Sequence, residues 1–446
     1  MSKSPGSLPT YENYRDSGVE CYGSVPAHWE TLANKYIFDL KKNLVGKNSS
    51  RYTLLSLTLG GIIKRDMENP EGKFPADFNT YQKVTPGDFV FCLFDVEETP
   101  RTIGLSSLHG MITGAYTVFR PRKKFDEEYL QYLYLSLDSG KRLRFLYKGL
   151  RNTIPKEVFL AFKSLNPPIQ EQKLISRFLS VKTAQIDQAI QTKERQIELI
   201  KERKQILTQQ VVTRGLDPLA PMRKSDIEWI SEIPAHWETV RLKYLFKEIN
   251  ERSKTGEETL LSLRMELGLV PHDDVSDKAI SNDSLVDYKI VRPGQMVMNR
   301  MRAAIGIFGV SFRIGLVSPD YAIFDINERA NSSFFLRLFK LPLLGTQFRL
   351  GSKGLGTGSS GFMRLYTEEF GNIKVAVPPL GEQLEILHFI DSTSERMDNA
   401  CILLEQQITK LKEYKVTLIN SAVTGKIKVP GVVEPDSGER LPLLAG

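Results

Sequence analysis

The sequence predicts an α+β protein in which two similar mixed α/β domains are joined by two long helices that form an antiparallel intramolecular coiled coil. Three observations predict this architecture: a duplicated domain, globular segments made of short β-type runs, and two long stretches with heptad spacing. A chain of 446 residues is long enough for two or three domains with ordinary cores.

The chain repeats itself with a period near 210 residues. Residues 25–30 (Val-Pro-Ala-His-Trp-Glu) return 208 positions later as residues 233–238 (Ile-Pro-Ala-His-Trp-Glu). Residues 167–172 (Pro-Pro-Ile-Gln-Glu-Gln) return 211 positions later as residues 378–383 (Pro-Pro-Leu-Gly-Glu-Gln). This period is far too long for a solenoid, so a whole domain with its connector has been duplicated. Two similar readers suit a target with two similar parts.

Each copy continues with a globular segment that is rich in short β-type runs and punctuated by Gly and Pro. A Pro-Gly turn at residues 85–88 matches one at residues 292–295. The predicted strands are residues 89–94, 116–119, 290–298 and 321–324, and the predicted short helices are residues 126–137 and 331–339.

Each globular segment ends at a double proline, and a long helix is predicted to follow. Neither helix contains Gly or Pro for roughly 40 residues, and the apolar positions alternate steps of four and three, which is heptad spacing. The first seam is Ile186, Ile190, Lys193, Ile197, Ile200, Lys204, Leu207 and Val211. The second seam, 211 positions later, is Met397, Cys401, Leu404, Ile408, Leu411, Lys415, Leu418 and Ala422.

The predicted helices are long enough to hold two globular domains far apart. A helix of about 45 residues is about 65 Å long, whereas one turn of B-DNA is about 34 Å. Heptad pairs commonly form dimerisation stalks. Here both helices lie in one chain and each follows an equivalent domain, which favours an intramolecular antiparallel pair.

Composition limits the classes of function. Lys and Arg outnumber Asp and Glu by 60 to 53, a mild excess that permits a polyanionic partner without requiring one. The three cysteines are far apart and form no Cys-x-x-Cys pair, so a disulfide framework or a zinc site is not expected. The sequence shows neither a signal-peptide core nor an apolar run of the ~20 residues that cross a bilayer, so we expect a cytoplasmic protein without membrane association.

The order of these segments, repeated twice, resembles the specificity subunit of type I restriction-modification systems. The matching segments are residues 25–30 and 233–238, the helix openings at 167–172 and 378–383, the helix ends at 211–213 and 422–424, and residues 113–119 and 317–324. The resemblance covers nearly the whole chain. No single motif is diagnostic, but their duplicated order is specific.

The resemblance implies a division of the chain and a set of partners. It implies target-recognition domains at residues 1–165 and 215–376, long conserved helices at 166–214 and 377–425, and a C-terminal tail at 426–446. Each recognition domain would read one half of a bipartite double-stranded DNA target, and the helices would set the spacer and bind two methylation subunits. Adenine methylation and DNA cleavage would belong to the methylation and restriction subunits. The chain itself would bind no cofactor, while S-adenosylmethionine, ATP and magnesium are implied for the partners.

An enzymatic function finds little support in the sequence. Residues 166–169 (Asn-Pro-Pro-Ile) are similar to the motif of amino-methyltransferases, but Ile169 offers no aromatic ring to stack on a flipped base. Residues 356–361 formally match a Gly-x-Gly-x-x-Gly fingerprint without a convincing strand before it or helix after it. We therefore expect a non-catalytic binding subunit.

Candidate DNA-contacting residues are cationic and amide side chains near glycines, which suit phosphates and base edges. In the first domain these are Lys141, Arg142, Arg144, Lys148, Arg151, Asn152 and Thr153. In the second they are Asn299, Arg300, Arg302, Lys353, Thr357, Ser359 and Arg364. A solvated helix face explains the first set equally well, and edge-strand charges explain residues 299–302.

Two further expectations concern the helices and the tail. Apolar residues outside the seams (Leu199, Ile206, Ile402 and Leu403) predict that partner helices pack there. The tail contains Pro and Gly, which fits disorder, but it could also dock on the N-terminal domain. The alternative to DNA recognition is a non-catalytic two-headed scaffold that binds proteins.

Overall fold

The computed structural model describes residues 8–66, 78–148, 152–277, 280–355 and 362–434. These residues form two compact units. Unit 1 holds the described residues up to Glu194 and those from Glu405 onward, and unit 2 is Arg195–Leu404. Each unit therefore combines a globular part with portions of both long helices. The five segments that the family resemblance implies divide the chain at other positions, and their boundaries stay predictions.

Unit 1 is built from short strands, two short helices, the start of the first long helix and the end of the second. In chain order the elements are β1 (Tyr14–Asp16), β2 (Ser24–Pro26), β3 (Glu30–Ala33), β4 (Phe38–Lys41), β5 (Leu55–Thr58), β6 (Gly61–Lys64), β7 (Gln82–Val84), β8 (Phe89–Phe91), β9 (Ile103–Leu105), β10 (Gly110–Ile112), β11 (Thr117–Pro121), α1 (Glu127–Ser139), α2 (Lys156–Ala161), β12 (Lys163–Asn166) and α3 (Ile169–Arg214). An antiparallel four-stranded sheet has the order β4-β11-β8-β9. The pairs β1–β2, β3–β12, β5–β6 and β7–β10 form antiparallel ribbons.

Unit 2 repeats this arrangement with one additional helix and one additional hairpin among the described residues. Its elements are β13 (Met222–Ile227), β14 (Ile230–Pro234), β15 (Glu238–Arg241), β16 (Phe246–Ile249), β17 (Leu261–Arg264), β18 (Gly268–Pro271), β19 (Lys289–Val291), β20 (Met296–Asn299), β21 (Phe308–Val310), β22 (Gly315–Val317), β23 (Tyr321–Ile326), α4 (Ser332–Phe339), α5 (Pro342–Gly351), β24 (Lys353–Leu355), β25 (Phe362–Arg364), α6 (Thr367–Asn372), β26 (Lys374–Val377) and α7 (Leu380–Val423). Its sheet has the equivalent order β16-β23-β20-β21. The predicted fold class is confirmed.

The predicted Pro-Gly turns lead into the central strands β8 and β20. Gly87 and Gly294 both have φ near +85°, a conformation that glycine adopts without steric cost. The last residue of each turn accepts a hydrogen bond from the backbone N–H of the first residue, at 2.7 Å for both the Asp88 carboxylate and the Gln295 amide oxygen. The same turn is therefore closed by a different side chain in each unit.

Aromatic residues fill the space between each sheet and its helices. In unit 1, Phe38 lies 5.8 Å from Phe119 and 6.5 Å from Phe159, measured between ring centroids. In unit 2, Phe246 lies 6.2 Å from Phe324 and 5.9 Å from Phe370. All six rings are buried, and burial of large apolar side chains is the main stabilising contribution to such cores.

The long helices pair in antiparallel fashion within each unit. In unit 1, Lys415 of α7 binds Asp187 of α3 with Nζ–Oδ distances of 2.7 Å. In unit 2, Lys204 of α3 binds Asp398 of α7 at 2.8 Å. Every residue of the two predicted seams is buried or half-buried, as expected for a coiled coil. Within the part of the chain that the structure describes, none of the helices combines the length and apolar character needed to cross a bilayer.

The tail docks on unit 1 as far as Glu434. The backbone N–H of Lys428 donates to the carbonyl of Pro9 at 2.7 Å, and Val429 and Val432 are buried. The Glu434 carboxylate accepts a hydrogen bond from the backbone N–H of Glu12 at 3.1 Å. Of the two expectations for the tail, docking holds for residues 426–434, while residues 435–446 lie outside the described residues.

Candidate nucleic-acid interface

Each globular part is fixed to a long helix by a glutamate in the first turn of that helix. In unit 1, Glu171 accepts a hydrogen bond from Trp29 Nε1 at 3.0 Å and lies 2.9 Å from Nε2 of His28. In unit 2, Glu382 accepts from Trp237 Nε1 at 3.1 Å and lies 2.7 Å from the preceding histidine. We call this arrangement the junction. The histidine of each repeated motif is thus paired with the glutamate of the same junction.

The glutamine that follows each glutamate completes the junction. Gln172 Oε1 accepts the backbone N–H of Asp126, the N-cap of α1, at 3.0 Å, and its amide donates to the Pro167 carbonyl at 2.8 Å. Gln383 makes the same two bonds with Asn331, the N-cap of α4, and with Pro378, at 2.8 and 2.9 Å. The repeated Glu-Gln pair is therefore structural, because it fixes the globular part to the helix.

A glycine at the end of the other long helix closes each junction. Gly215 and Gly425 have φ of +77° and +70°. A Cβ on Gly215 would lie 2.9 Å from Glu382 and 3.5 Å from Trp237, and one on Gly425 would lie 2.3 Å from Pro26. Both the backbone conformation and the close approach therefore require glycine.

A tight turn follows β20 in unit 2, beyond the sheet. The buried Asn299 side chain accepts the backbone N–H of Met301 at 3.1 Å, and its carbonyl accepts that of Arg302 at 3.0 Å. The Arg302 carbonyl accepts the N–H groups of Ile305 and Ile307 at 3.2 and 3.3 Å. The backbone of Arg302 is therefore held on both sides, while its side chain is exposed.

Tyr321 lies beside this turn, because it pairs with Asn299 across strands β20 and β23. Burial raises the pKa of Tyr321, while the positive charge of Arg302, a hydrogen bond from Asn299 and the positive charge of Arg264 act in the opposite direction. Arg302, Asn299 and Arg264 thus act together on the phenol, while the negative charge of Asp320 opposes them.

Three arginines of unit 2 form what we call the arginine surface: Arg264 at the end of β17, Arg302 in the turn, and Arg364 in β25. The N–H of Leu365 donates to the Arg300 carbonyl at 2.9 Å, which brings β25 beside the turn. The Arg364 guanidinium lies 3.3 Å from the Asp320 carboxylate. Arg264 donates a long hydrogen bond, 3.4 Å, to the Val275 carbonyl.

Arg300 faces inward, in contrast to Arg302. Its guanidinium donates to Glu248 at 2.6 Å, and Lys289 lies 3.5 Å from the same carboxylate. Burial lowers the pKa of Lys289, and the charge of Glu248 opposes that shift. Two largely buried cations thus share one carboxylate, which leaves a positive charge beneath the arginine surface. Arg300 stays a predicted DNA contact, but the structure places it in this internal network.

The equivalent turn in unit 1 is identified by its hydrogen bonds. The N–H of Ile154 donates to the Leu93 carbonyl at 2.7 Å, as Leu365 donates to Arg300. Leu93 therefore corresponds to Arg300, and Asp95, two residues later, corresponds to Arg302. Ile154 likewise corresponds to Leu365, so Thr153, one residue earlier, corresponds to Arg364.

The counterpart of Arg264 follows from glycine contacts. A Cβ on Gly104 of β9 would lie 2.8 Å from Leu57, and one on Gly309 of β21 would lie 2.7 Å from Leu263. Leu57 of β5 and Leu263 of β17 therefore occupy equivalent positions. The residue that follows each of them is Thr58 in unit 1 and Arg264 in unit 2. None of the three arginines of the arginine surface thus has a cationic counterpart in unit 1.

The tyrosine, in contrast, is present in both units. Gln82 donates to the Tyr116 carbonyl at 2.6 Å, and Lys289 donates to the Tyr321 carbonyl at 2.7 Å. In unit 1 the Tyr116 ring stacks on Phe94 at 6.1 Å, with 23° between the ring planes. Both units thus have a tyrosine at this position. Its neighbour is an aromatic ring in unit 1, whereas its neighbours in unit 2 include two arginines.

The predicted contacts of unit 1 are partly engaged within the protein. Lys141 Nζ binds Asp138 at 3.0 Å and the Thr99 carbonyl at 2.7 Å. Arg142 donates to Asn420 of α7 at 2.6 Å, which indicates a role in fixing the helix end. Arg144 forms an exposed ion pair with Glu97 at 2.9 Å.

Lys148 pairs with Thr153 across an isolated bridge, and Asn152 is exposed beside it. This bridge corresponds to the pairing of Lys353 with Arg364 in the β24–β25 hairpin of unit 2. Lys353 also forms an ion pair with Glu369. Arg151, Thr357 and Ser359 lie outside the described residues, as does the glycine fingerprint at 356–361. The predicted residues of unit 2 around the turn and β25 are brought together, and all of them stay predictions as DNA contacts.

Neither Arg264 nor Tyr321 was among the predicted DNA contacts. Tyr321 lies in a predicted strand, residues 321–324, and in one of the two segments that resemble the family, and Tyr116 is the matching residue of the other. The tyrosine shared by these two segments is the signal by which the sequence marks both positions. Arg264 gives no such signal, because its place beside Tyr321 depends on long-range packing of the β17–β18 hairpin.

The helix residues predicted as partner contacts are exposed. Leu199, Ile206, Ile402 and Leu403 are each about half exposed or more, at 47%, 50%, 50% and 57%. All four lie in unit 2. Exposed apolar residues on these helices favour a partner surface.

Comparison with known proteins gives relatives of one kind. No protein-family model matches the chain. A protein of Methanocaldococcus jannaschii described as a candidate type I restriction enzyme specificity subunit, MjaX, is 24% identical over an alignment that spans 94% of this chain and 97% of the relative. The MjaVIII specificity subunit of a type I restriction enzyme from the same organism is 25% identical, over 67% of this chain and 70% of the relative.

Two solved structures share the fold. A chain from a study of complex assembly and conformational transition of the type I restriction-modification system matches with a TM-score of 0.60 at 15% identity, covering 90% of this chain and 98% of the other. The HsdS subunit of Thermoanaerobacter tengcongensis matches with a TM-score of 0.52 at 16% identity, covering 91% and 99%.

Proposed function

Because the chain belongs to the family of type I restriction-modification specificity subunits, we propose that its two units each read one half of a bipartite DNA sequence. The observation that carries this proposal is the contrast between the units. The junction is the same in both, whereas the residues around the equivalent tyrosines differ, as two different half-sites require.

The proposed role is non-catalytic. The chain directs partner subunits that methylate adenine or cleave DNA, and those partners would bind S-adenosylmethionine, ATP and magnesium. The coiled coil sets the length of the unread spacer between the half-sites. Two methylation subunits dock on the helices, with Leu199, Ile206, Ile402 and Leu403 as contacts, and restriction subunits join the complex. Such a complex acts on cytoplasmic DNA.

Co-expression of the chain with its candidate methylation partner, followed by genome-wide mapping of modified adenines, tests this proposal. We expect one motif of two short half-sites around a gap of fixed length, and no motif with the partner alone. An intact complex with an active partner that modifies no bipartite motif would contradict the proposal and favour the protein-binding scaffold. Affinity for DNA that fell steeply with salt would exclude the scaffold, because phosphate contacts release counterions.

The spacer role has its own test. Inserting one heptad into each helix, after Glu194 and after Leu404, keeps the seam in register. Seven residues lengthen a helix by about 10 Å, so the gap in the methylated motif should grow by about three base pairs. An unchanged gap in a folded, active complex would show that the helices do not set the spacer.

The partner surface is tested by substituting Leu403→Glu and, as a matched control, Thr192→Glu, which is the position 211 residues earlier. Leu403 is exposed and apolar, whereas Thr192 is exposed and polar. We expect the first variant to lose about 10-fold or more in affinity for the methylation subunit and the second to keep it. Equal binding by both variants would exclude this patch as the docking surface.

A further inference from the structure

We propose that Arg302 reads a guanine in the half-site of unit 2, with Arg264 as a second cationic donor beside it. This inference rests on the proposed function and adds to it the residue and the base. An arginine can donate two parallel hydrogen bonds to O6 and N7 of guanine in the major groove, and this is the commonest specific contact between proteins and DNA.

The first support is preorganisation of Arg302. Three backbone hydrogen bonds and the Asn299 side chain fix its turn, and its guanidinium forms no ion pair with any residue that the structure describes. Two arginines nearby are paired with carboxylates, Arg300 with Glu248 and Arg364 with Asp320, while Arg264 donates to a backbone carbonyl. Arg302 is therefore the guanidinium of this surface that is positioned by the backbone and available to a ligand.

The second support is the surface around the guanidinium. Apolar side chains are exposed in the same turn, at Met301 and Ile305, and at the tip of the β17–β18 hairpin, at Met265. Apolar groups beside a cation suit the edges and methyl groups of bases, whereas a pure phosphate contact needs only charge. The buried network of Lys289, Arg300 and Glu248 adds a positive field that attracts DNA to this surface.

The third support is the contrast with unit 1. Asp95 occupies the position of Arg302, and Thr58 that of Arg264, while the tyrosine is retained as Tyr116. An aspartate cannot donate to guanine and repels phosphate. A shared tyrosine with exchanged neighbours is the pattern expected when one scaffold reads two different base sequences.

Binding of the full complex with its methylation partner to DNA duplexes tests the inference. The set of duplexes contains the mapped target and variants in which a single base pair of one half-site is replaced. All binding is measured at one salt concentration. Arg302→Ala is compared with Arg313→Ala, which removes an exposed arginine from the turn between β21 and β22, at the other end of the sheet. Co-purification with the partner checks that each variant is folded.

We expect Arg302→Ala to weaken binding of the natural target by about 10-fold to 100-fold. It should also abolish discrimination at one G·C pair in one half-site, whereas Arg313→Ala keeps both properties. Equal weakening for every duplex would indicate a phosphate contact and overturn the inference, as would lost discrimination at an A·T pair or unchanged discrimination. A wild-type complex that binds all duplexes equally would overturn the proposed function itself.

Discussion

Trp29 and Trp237 occupy equivalent places and make the same hydrogen bond to a glutamate of a long helix, whereas Asp95 and Arg302 occupy equivalent places and have opposite charge. The first pair lies where a globular part meets the helices, and the second lies beyond the end of a sheet. Duplication has kept the residues that position the globular part on the helices and exchanged the charge of the residue in the turn.

The difference separates two kinds of constraint. A junction residue contacts several elements at once, as Glu171 does with Trp29 and His28, so a change there disturbs the attachment of the whole domain. A residue such as Arg302 uses only its backbone to hold the turn. Its side chain can therefore change without cost to the fold, which is the freedom that the proposed divergence of recognition requires.

The largest expected effect is at the junction. Trp29→Ala and Trp237→Ala each remove a fully buried ring and should lower the free energy of unfolding of their unit by about 3–5 kcal/mol. Hydrogen exchange in denaturant, read separately in each unit, measures this. The equivalent exposed aromatics Tyr36 and Tyr244 are the controls, and their alanine variants should change stability by less than about 0.5 kcal/mol. A large effect in one unit with none in the other would break the equivalence of the junctions.

A smaller effect is expected at the buried network that only unit 2 contains. Glu248→Leu leaves Lys289 and Arg300 without their carboxylate and should cost about 3 kcal/mol. Leu40 is the counterpart in unit 1, since it pairs with Phe119 as Glu248 pairs with Phe324. Leu40 is half exposed, so Leu40→Ala should cost less than about 1 kcal/mol.

Adding Lys289→Gln, which copies Gln82 of unit 1, should restore part of the stability lost in Glu248→Leu, because it removes one of the two unpaired cations. Urea unfolding of both variants measures the recovery. If Glu248→Leu alone left stability unchanged, the network would not be a stabilising difference between the units.

The sequence alone predicted the parts of the molecule that depend on local pattern. Heptad spacing located α3 and α7 and their seams, and the repeated motifs contain the residues that form both junctions, although the contact between those motifs was not predicted. The candidate site was predicted less completely, because residues such as Arg264 and Tyr321 come together through pairing of strands that are distant in the chain. Charge alone also failed to distinguish Arg300, whose guanidinium is used internally, from Arg302.

The backbone offers a third way to sharpen the comparison. Asp95 has φ of +44°, whereas Arg302 has φ of −124°, although the two are equivalent by hydrogen bonding. Alanine avoids positive φ, so Asp95→Ala should cost about 1 kcal/mol and Asp95→Gly should cost less. Arg302→Ala should stay within about 0.5 kcal/mol. Thermal unfolding measures all three, and equal losses for Asp95→Ala and Arg302→Ala would show that the two turns are under the same constraint.

The smallest expected effect concerns the ion pairs between the helices. Lys204–Asp398 and Asp187–Lys415 are related by the repeat, and all four side chains are partly exposed. Double-mutant cycles with alanine should therefore give coupling energies of about 0–1 kcal/mol for each pair, falling as salt rises.

Equal couplings would place these pairs with the junctions among the features that duplication has kept. A lysine within a heptad seam gains little stability, but it disfavours every register in which no carboxylate lies opposite. Replacing both lysines with leucine should then leave the helices paired while permitting other registers, which disulfide trapping between introduced cysteines would detect. A single register in that variant would show that the junctions alone align the helices.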